Sequence, residues 1–116
     1  MLRLQQARHL LLVERKISEA KAILKELSAE GITEAQRLLG IAHYRSQDYQ
    51  DAHTLFLQAA QKSDPQAQRY LGMIYFLGQG VKRDYAQANV WLGKAAVQGD
   101  QEANRYRDIL QKFYKE

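Results

Sequence analysis

Residues 34–44, EAQRLLGIAHY, and residues 66–76, QAQRYLGMIYF, are two versions of one segment, and this duplication constrains the fold more than any other feature. Ala35, Gln36, Arg37, Leu39 and Gly40 recur as Ala67, Gln68, Arg69, Leu71 and Gly72, each 32 residues on. A second segment, DYQDAHTLFLQAA at 48–60, recurs as DYAQANVWLGKAA at 84–96. There Asp48, Tyr49, Ala52, Ala59 and Ala60 meet Asp84, Tyr85, Ala88, Ala95 and Ala96 at a spacing of 36. The four extra residues must lie between Gly72 and Asp84, where LGQGV stands. A fixed period of this size marks a chain made by stacking one supersecondary unit.

The register runs on towards both ends. A further shift of 32 sets Ala20, Leu24 and Leu27 under Ala52, Phe56 and Ala59, although Arg8 stands where the later copies have Gly40 and Gly72. Ala103 follows Ala67 by 36 and opens one more helix. Apolar residues fall three and four apart in each half-repeat, as in Ala88, Trp91, Leu92 and Ala95, which is the helical period. Asp48 and Asp84 are placed to cap the second helix of their pairs, Pro65 suits a first turn, and Gly31 and Gly99 stand where helices end. The chain thus reads as one all-α domain over 1–116. It holds three antiparallel helix pairs, at 1–31 (degenerate), 32–64 and 65–99, and a capping helix at 101–115. Gly40 and Gly72 fall inside helices, where each costs about 1 kcal/mol against alanine. Close approach within a pair is the expected compensation, Gly40 against Ala52 and Gly72 against Ala88.

The run 67–100, AQRYLGMIYFLGQGVKRDYAQANVWLGKAAVQGD, resembles a complete Sel-1-like repeat, the longer relative of the tetratricopeptide repeat. Its matching positions are Ala67, Leu71, Gly72, Tyr75, Gly78, Gly80, Val81, Asp84, Tyr85, Ala86, Ala88, Trp91, Lys94, Ala95, Ala96 and Gly99. The pair at 32–64 lacks the Gly-x-Gly-Val loop and has tetratricopeptide length. The resemblance implies a right-handed α-α superhelical solenoid. It also implies that Gly-x-Gly-Val is the loop between paired helices, with Gly78 and Gly80 able to take positive φ and Val81 tucked into the hairpin. Lys82 and Arg83 behind these glycines invite a phosphate-loop reading, but neither GxxxxGK with Ser or Thr nor a preceding strand accompanies them. Tyr75, Tyr85 and Trp91 are expected to pack between helices.

Little in the chain points to catalysis. Without cysteine there is no thiolate ligand or nucleophile. His9, His43 and His53 form no i, i+4 pair, and no carboxylate stands at ligand spacing from them, so neither a metal nor another cofactor is expected. The serines lie near helix ends and turns, outside any nucleophile-elbow context. A non-enzymatic protein follows. The longest unbroken apolar run near the start, residues 10–13, is too short for a signal-peptide core or a membrane span. A cytoplasmic location is expected, or a periplasmic one if a leader was removed. Seventeen Lys and Arg against 13 Asp and Glu give a net charge of +4, a mild bias towards acidic partners. The acids interleave with the bases and no dense basic helix forms, so nucleic-acid binding is not expected.

In helical stacks, binding usually occupies the concave side, lined by the first helix of each pair. Tetratricopeptide resemblance puts the second, fifth, ninth, twelfth and thirteenth repeat positions there. Counted from residues 33, 65 and 101, the fifth position is Arg37, Arg69 and Arg105, one arginine per repeat. Ile41, Tyr44 and Arg45, then Met73, Phe76 and Leu77, hold the ninth, twelfth and thirteenth. The expected groove is basic along one stripe and apolar along the next, suited to a protein or peptide carrying acidic and hydrophobic residues. Glu34 and Glu102 precede Arg37 and Arg105 by three, an ion-pair spacing, whereas Arg69 follows Gln66 and so stands out as a partner contact. The chaperone-binding carboxylate clamp is absent, since its ninth-position asparagine is replaced by His9, Ile41 and Met73. The resemblance implies an adaptor, with a bacterial source expected. An inhibitor or immunity protein with one tight partner is the alternative, and three pairs being few, self-association through the terminal helices is a further expected source of stability.

Overall fold

Short local signals set the helix boundaries. The computed structural model describes residues 2–113, and among them it has seven helices and no strand. These are α1 (Leu2–Leu12), α2 (Ile17–Ala29), α3 (Thr33–Arg45), α4 (Tyr49–Gln61), α5 (Pro65–Leu77), α6 (Tyr85–Val97) and α7 (Gln101–Leu110). The carboxylates of Asp64, Asp84 and Asp100 accept the backbone N–H three residues on, from Ala67, Gln87 and Ala103 at 2.9, 3.0 and 3.0 Å. Each satisfies a donor that the first turn leaves without an intrahelical partner. Asp48 stands at the same position before α4 but makes no such bond. Its carboxylate is drawn instead to Lys21 Nζ, 3.6 Å away, and His43 Nδ1, at 3.5 Å.

Each helix packs on the next, and α1 also meets α3 as α5 meets α7. The first helices of the pairs, α1, α3, α5 and α7, therefore form one layer and α2, α4 and α6 the other, in a body 45 × 26 × 23 Å. Leu24, Leu38, Phe56, Leu71, Ile74 and Leu92 are fully buried between the layers. No helix among the described residues is long and apolar enough to cross a membrane.

The interior glycines mark close helix contacts, with partners one turn beyond those expected. A Cβ on Gly40 would lie 2.7 Å from the Phe56 ring, and one on Gly72 2.6 Å from Leu92 Cγ and 3.3 Å from the Ala88 carbonyl oxygen. The small Ala52 and Ala88 let the backbones approach, and the larger side chains one turn later fill the notch each glycine leaves. Gly78 and Gly80 take φ of +68° and +73° in the α5–α6 loop. Val81 is half-buried against the core. The loop also reaches the preceding pair, because a Cβ on Gly80 would sit 2.7 Å from Tyr49 Cβ. The last helix, expected to 115, ends at Leu110: Lys112 and Phe113 donate to the carbonyls of Ile109 and Leu110, three residues back, which tightens the chain into a turn. Residues 1, 114 and 115 of the expected segments lie outside the described residues.

Candidate functional site

Of the arginines expected to line a groove, Arg37 and Arg69 are fasteners between repeats. Arg37 Nε lies 3.1 Å from Asp64 Oδ2, and its Nη1 donates to Gln66 Oε1 at 3.2 Å. Arg69 repeats the arrangement on Asp100, 3.2 Å away, and adds Glu102 at 3.1 Å. Arg8 pairs with Glu34 one repeat earlier. An arginine from each first helix thus reaches the acidic start of the next first helix, and Asp64 and Asp100 accept it while still capping their own helices. The intrahelical pairs Glu34–Arg37 and Glu102–Arg105 do not form, because both acids are engaged by the preceding repeat. Arg69, which lacks an acid in its own helix, has two in the next. Its side chain is 14% exposed and that of Arg37 16%, so neither offers a charge to a partner. Arg105 is exposed and makes no ion pair among the described residues.

The remaining groove positions divide by burial. Ile41, 5% exposed, is core and not surface. Tyr44 is half-buried in an aromatic cluster, edge-on to Tyr49 and Tyr70, and its hydroxyl donates to Gln79 Oε1 at 2.8 Å. Burial pushes its pKa up despite that bond. Phe76 packs against Tyr85 and Phe113, and Met73 is half-buried. Arg45 is exposed, with Nη1 donating to the Leu11 carbonyl at 3.1 Å. Trp91 is half-buried under Lys94, whose Nζ is 4.9 Å from the ring centre.

An apolar surface missed in the sequence takes their place. Leu12, Val13, Leu77, Ile109 and Phe113 are all exposed, Phe113 at 64%. Leu12 holds the twelfth repeat position in α1, Leu77 the thirteenth in α5 and Ile109 the ninth in α7, while Val13 and Phe113 fall at the thirteenth count just beyond the ends of α1 and α7. The repeat register, counted through the first and last helices as well, is the signal that finds them. All five stand at or just beyond the C-terminal ends of first helices, as Arg45 does at the end of α3, and the exposed Arg105 lies on α7.

The titratable clusters are structural in appearance. The α3–α4 turn brings His43, Asp48 and Asp51 together with ligand atoms within 4.8 Å of one another, against the expectation that no carboxylate stands at ligand spacing from a histidine. Lys21 already serves Asp48 as a cation, and Asp51 is largely in solvent. His53 Nε2 is 3.0 Å from the Tyr75 hydroxyl, and burial holds the His53 pKa below its ordinary value.

This layered stack with its repeated fasteners agrees with comparison to known families. Residues 4–68, more than half of the chain, match the model of the tetratricopeptide repeat. The chain belongs to the tetratricopeptide repeat family. Residues 65–100 of this tetratricopeptide protein match the Sel1 repeat, which accounts for the longer α5–α6 loop. Repeats of both families generally mediate protein–protein interaction and are typically scaffolds. DAP3-binding cell death enhancer 1 of Rattus norvegicus is 35% identical over 86 residues, 72% of this chain and 17% of the relative. The Mus musculus protein of the same name is 33% identical over the same extent. The tetratricopeptide chain therefore spans about a sixth of the length of these curated relatives.

Proposed function

We propose that the chain is an interaction scaffold that holds a protein or peptide partner against the groove side of the first-helix layer. The observation that carries this reading is the exposure of Leu12, Val13, Leu77, Ile109 and Phe113, large apolar side chains at or just beyond the C-terminal ends of the first helices α1, α5 and α7. Exposed apolar groups gathered in this way characterise interaction surfaces. Arg45 and Arg105 give such a partner two points for carboxylates, with Met73 and Phe76 at the floor between the apolar side chains. The rat and mouse relatives are named for binding DAP3, which supports a protein as the class of partner. The bacterial source expected from the repeat type gains no support from these mammalian relatives.

Capture from a lysate of the source organism tests the reading, with wild type beside Leu77→Glu/Phe113→Glu and folding of both verified by circular dichroism. A protein held by wild type and released by the variant, with a DAP3 counterpart probed by antibody among the retained proteins, is the expected result. Equal retention by both places binding on another face and removes the proposal.

A further inference from the structure

Two exposed apolar side chains lie away from that face, Val90 and Val97 on α6, the latter 88% exposed. They border an open cleft of about 830 Å³ between α4 and α6. Gln68 of α5, nearly fully buried, forms its floor. Its Nε2 donates to the Ala60 carbonyl at 3.2 Å, and its Oε1 accepts from Gln98 Nε2 at 2.9 Å. Gln98 Nε2 also donates to the Ser63 carbonyl at 2.9 Å, so the floor is polar, satisfied and fixed. Trp91 and Lys94 supply one wall.

The opposite contribution is Arg107, which reaches from α7 across the backbone of Gly93. A Cβ there would be 3.9 Å from the Arg107 Cζ. The preceding repeat carries Leu57 at the corresponding position, so the glycine opens space that a larger side chain would occupy. Arg107 differs from the fastening arginines. Its Nε is buried without an acceptor, and neither Arg107 nor Lys94 makes an ion pair among the described residues. The cleft lining holds these two cations and no carboxylate. A half-buried guanidinium with an unused donor calls for an anion, and a carboxylate matches its fork.

We propose that this cleft is a second docking site, independent of the first-helix face, for an extended acidic peptide segment. One carboxylate meets Arg107, and a neighbouring large apolar side chain rests on Val90, Trp91 and Val97. The amides of Gln61 and Asn89, which make no side-chain hydrogen bond among the described residues, are available to the peptide backbone. Two cations between apolar walls fit a peptide better than a nucleic acid, whose backbone needs a continuing row of positive charge.

Trp91, the only tryptophan, reports on the site directly. A random peptide display library selected on the whole chain supplies probes, which are then synthesised and titrated by Trp91 fluorescence. Selected peptides are expected to pair Asp or Glu with an adjacent aromatic or branched aliphatic residue. Replacing that acid by its amide, or Arg107 by Gln, should weaken binding about tenfold or more, the loss of a charge-assisted contact. Because Arg107→Gln could disturb α7 packing, Lys94→Glu on the exposed rim is the second variant and should also weaken binding, while Leu77→Glu leaves it unchanged. The proposal is overturned if no peptide is selected, if acids are not enriched, or if both cleft variants bind as wild type does. It is equally overturned if Leu77→Glu abolishes binding, or if a single-stranded oligonucleotide and not a peptide gives the Arg107-dependent signal.

Discussion

Asp64 and Asp100 each satisfy two donors at once, a backbone N–H of their own helix and an arginine of the preceding repeat. Arg69→Glu should therefore lower stability by about 2–3 kcal/mol, chiefly because it strands the largely buried Asp100 beside a new negative charge, with the solvent-exposed Glu102 adding less. Asp100→Asn keeps the capping oxygen and loses only the ionic part, so urea titration should show a smaller loss for it than for Arg69→Glu. The sequence hid this because an ion-pair rule within one helix looks three or four residues along, whereas the acids that matter for Arg37 and Arg69 are 27 and 31 residues away. At His53 the burial that lowers its pKa favours the neutral ring in the folded state. The unfolded chain then binds the proton more readily. The associated stability is complete above about pH 6.5 and is lost as pH falls through the lower folded-state pKa. Melting temperature should accordingly decline more between pH 7.5 and 5 for wild type than for His53→Gln.

At the scale of helices and their loops, sequence periodicity foretold the pairing, and the physical details were set by packing. Gly72 was legible as a close contact, but its partner was not, since which side chain fills a notch depends on rotamers one turn away. Gly72→Ala gains about 1 kcal/mol in helix propensity and meets Leu92 at a distance that core packing does not tolerate. A net loss of about 1–2 kcal/mol is expected from denaturant titration, and Leu92→Ala in the same chain should cost less than it does alone. The four-residue insertion was correctly placed between α5 and α6 by comparing two spacings. Its role as a strut against the preceding pair was not visible, because Tyr49 and Gln50 carry no local mark of it. Gly80→Ala combines a left-handed backbone with a clash against Tyr49, and its melting curve should report a loss of about 2–4 kcal/mol. Tyr44→Phe removes only the bond to Gln79 and should cost about 1 kcal/mol.

The whole molecule is a row in which each helix depends chiefly on its neighbours, so its stability is distributed along one dimension. The terminal helices pack from one side of the row only, α1 on α2 and α3, α7 on α6 and α5. Hydrogen exchange should therefore be fastest in α1 and α7 and slowest from α3 to α6, whereas equal protection throughout would mean one cooperative unit. Repeat spacing made the stacking legible, but only half of the candidate surface. A repeat register assigns a side chain to a face without saying whether the next unit covers it, which is why Ile41, Arg37 and Arg69 read as groove when they are covered. Leu12 lies in the degenerate first repeat and Phe113 beyond the end of α7, where no well-matched second copy marks either position. At each of the two later junctions, a fifth-position arginine meets the aspartate before the following helix. Duplication or loss of a whole unit then regenerates a matched joint with no compensating change, so arrays of this kind can change length in evolution by whole steps without first passing through a broken intermediate.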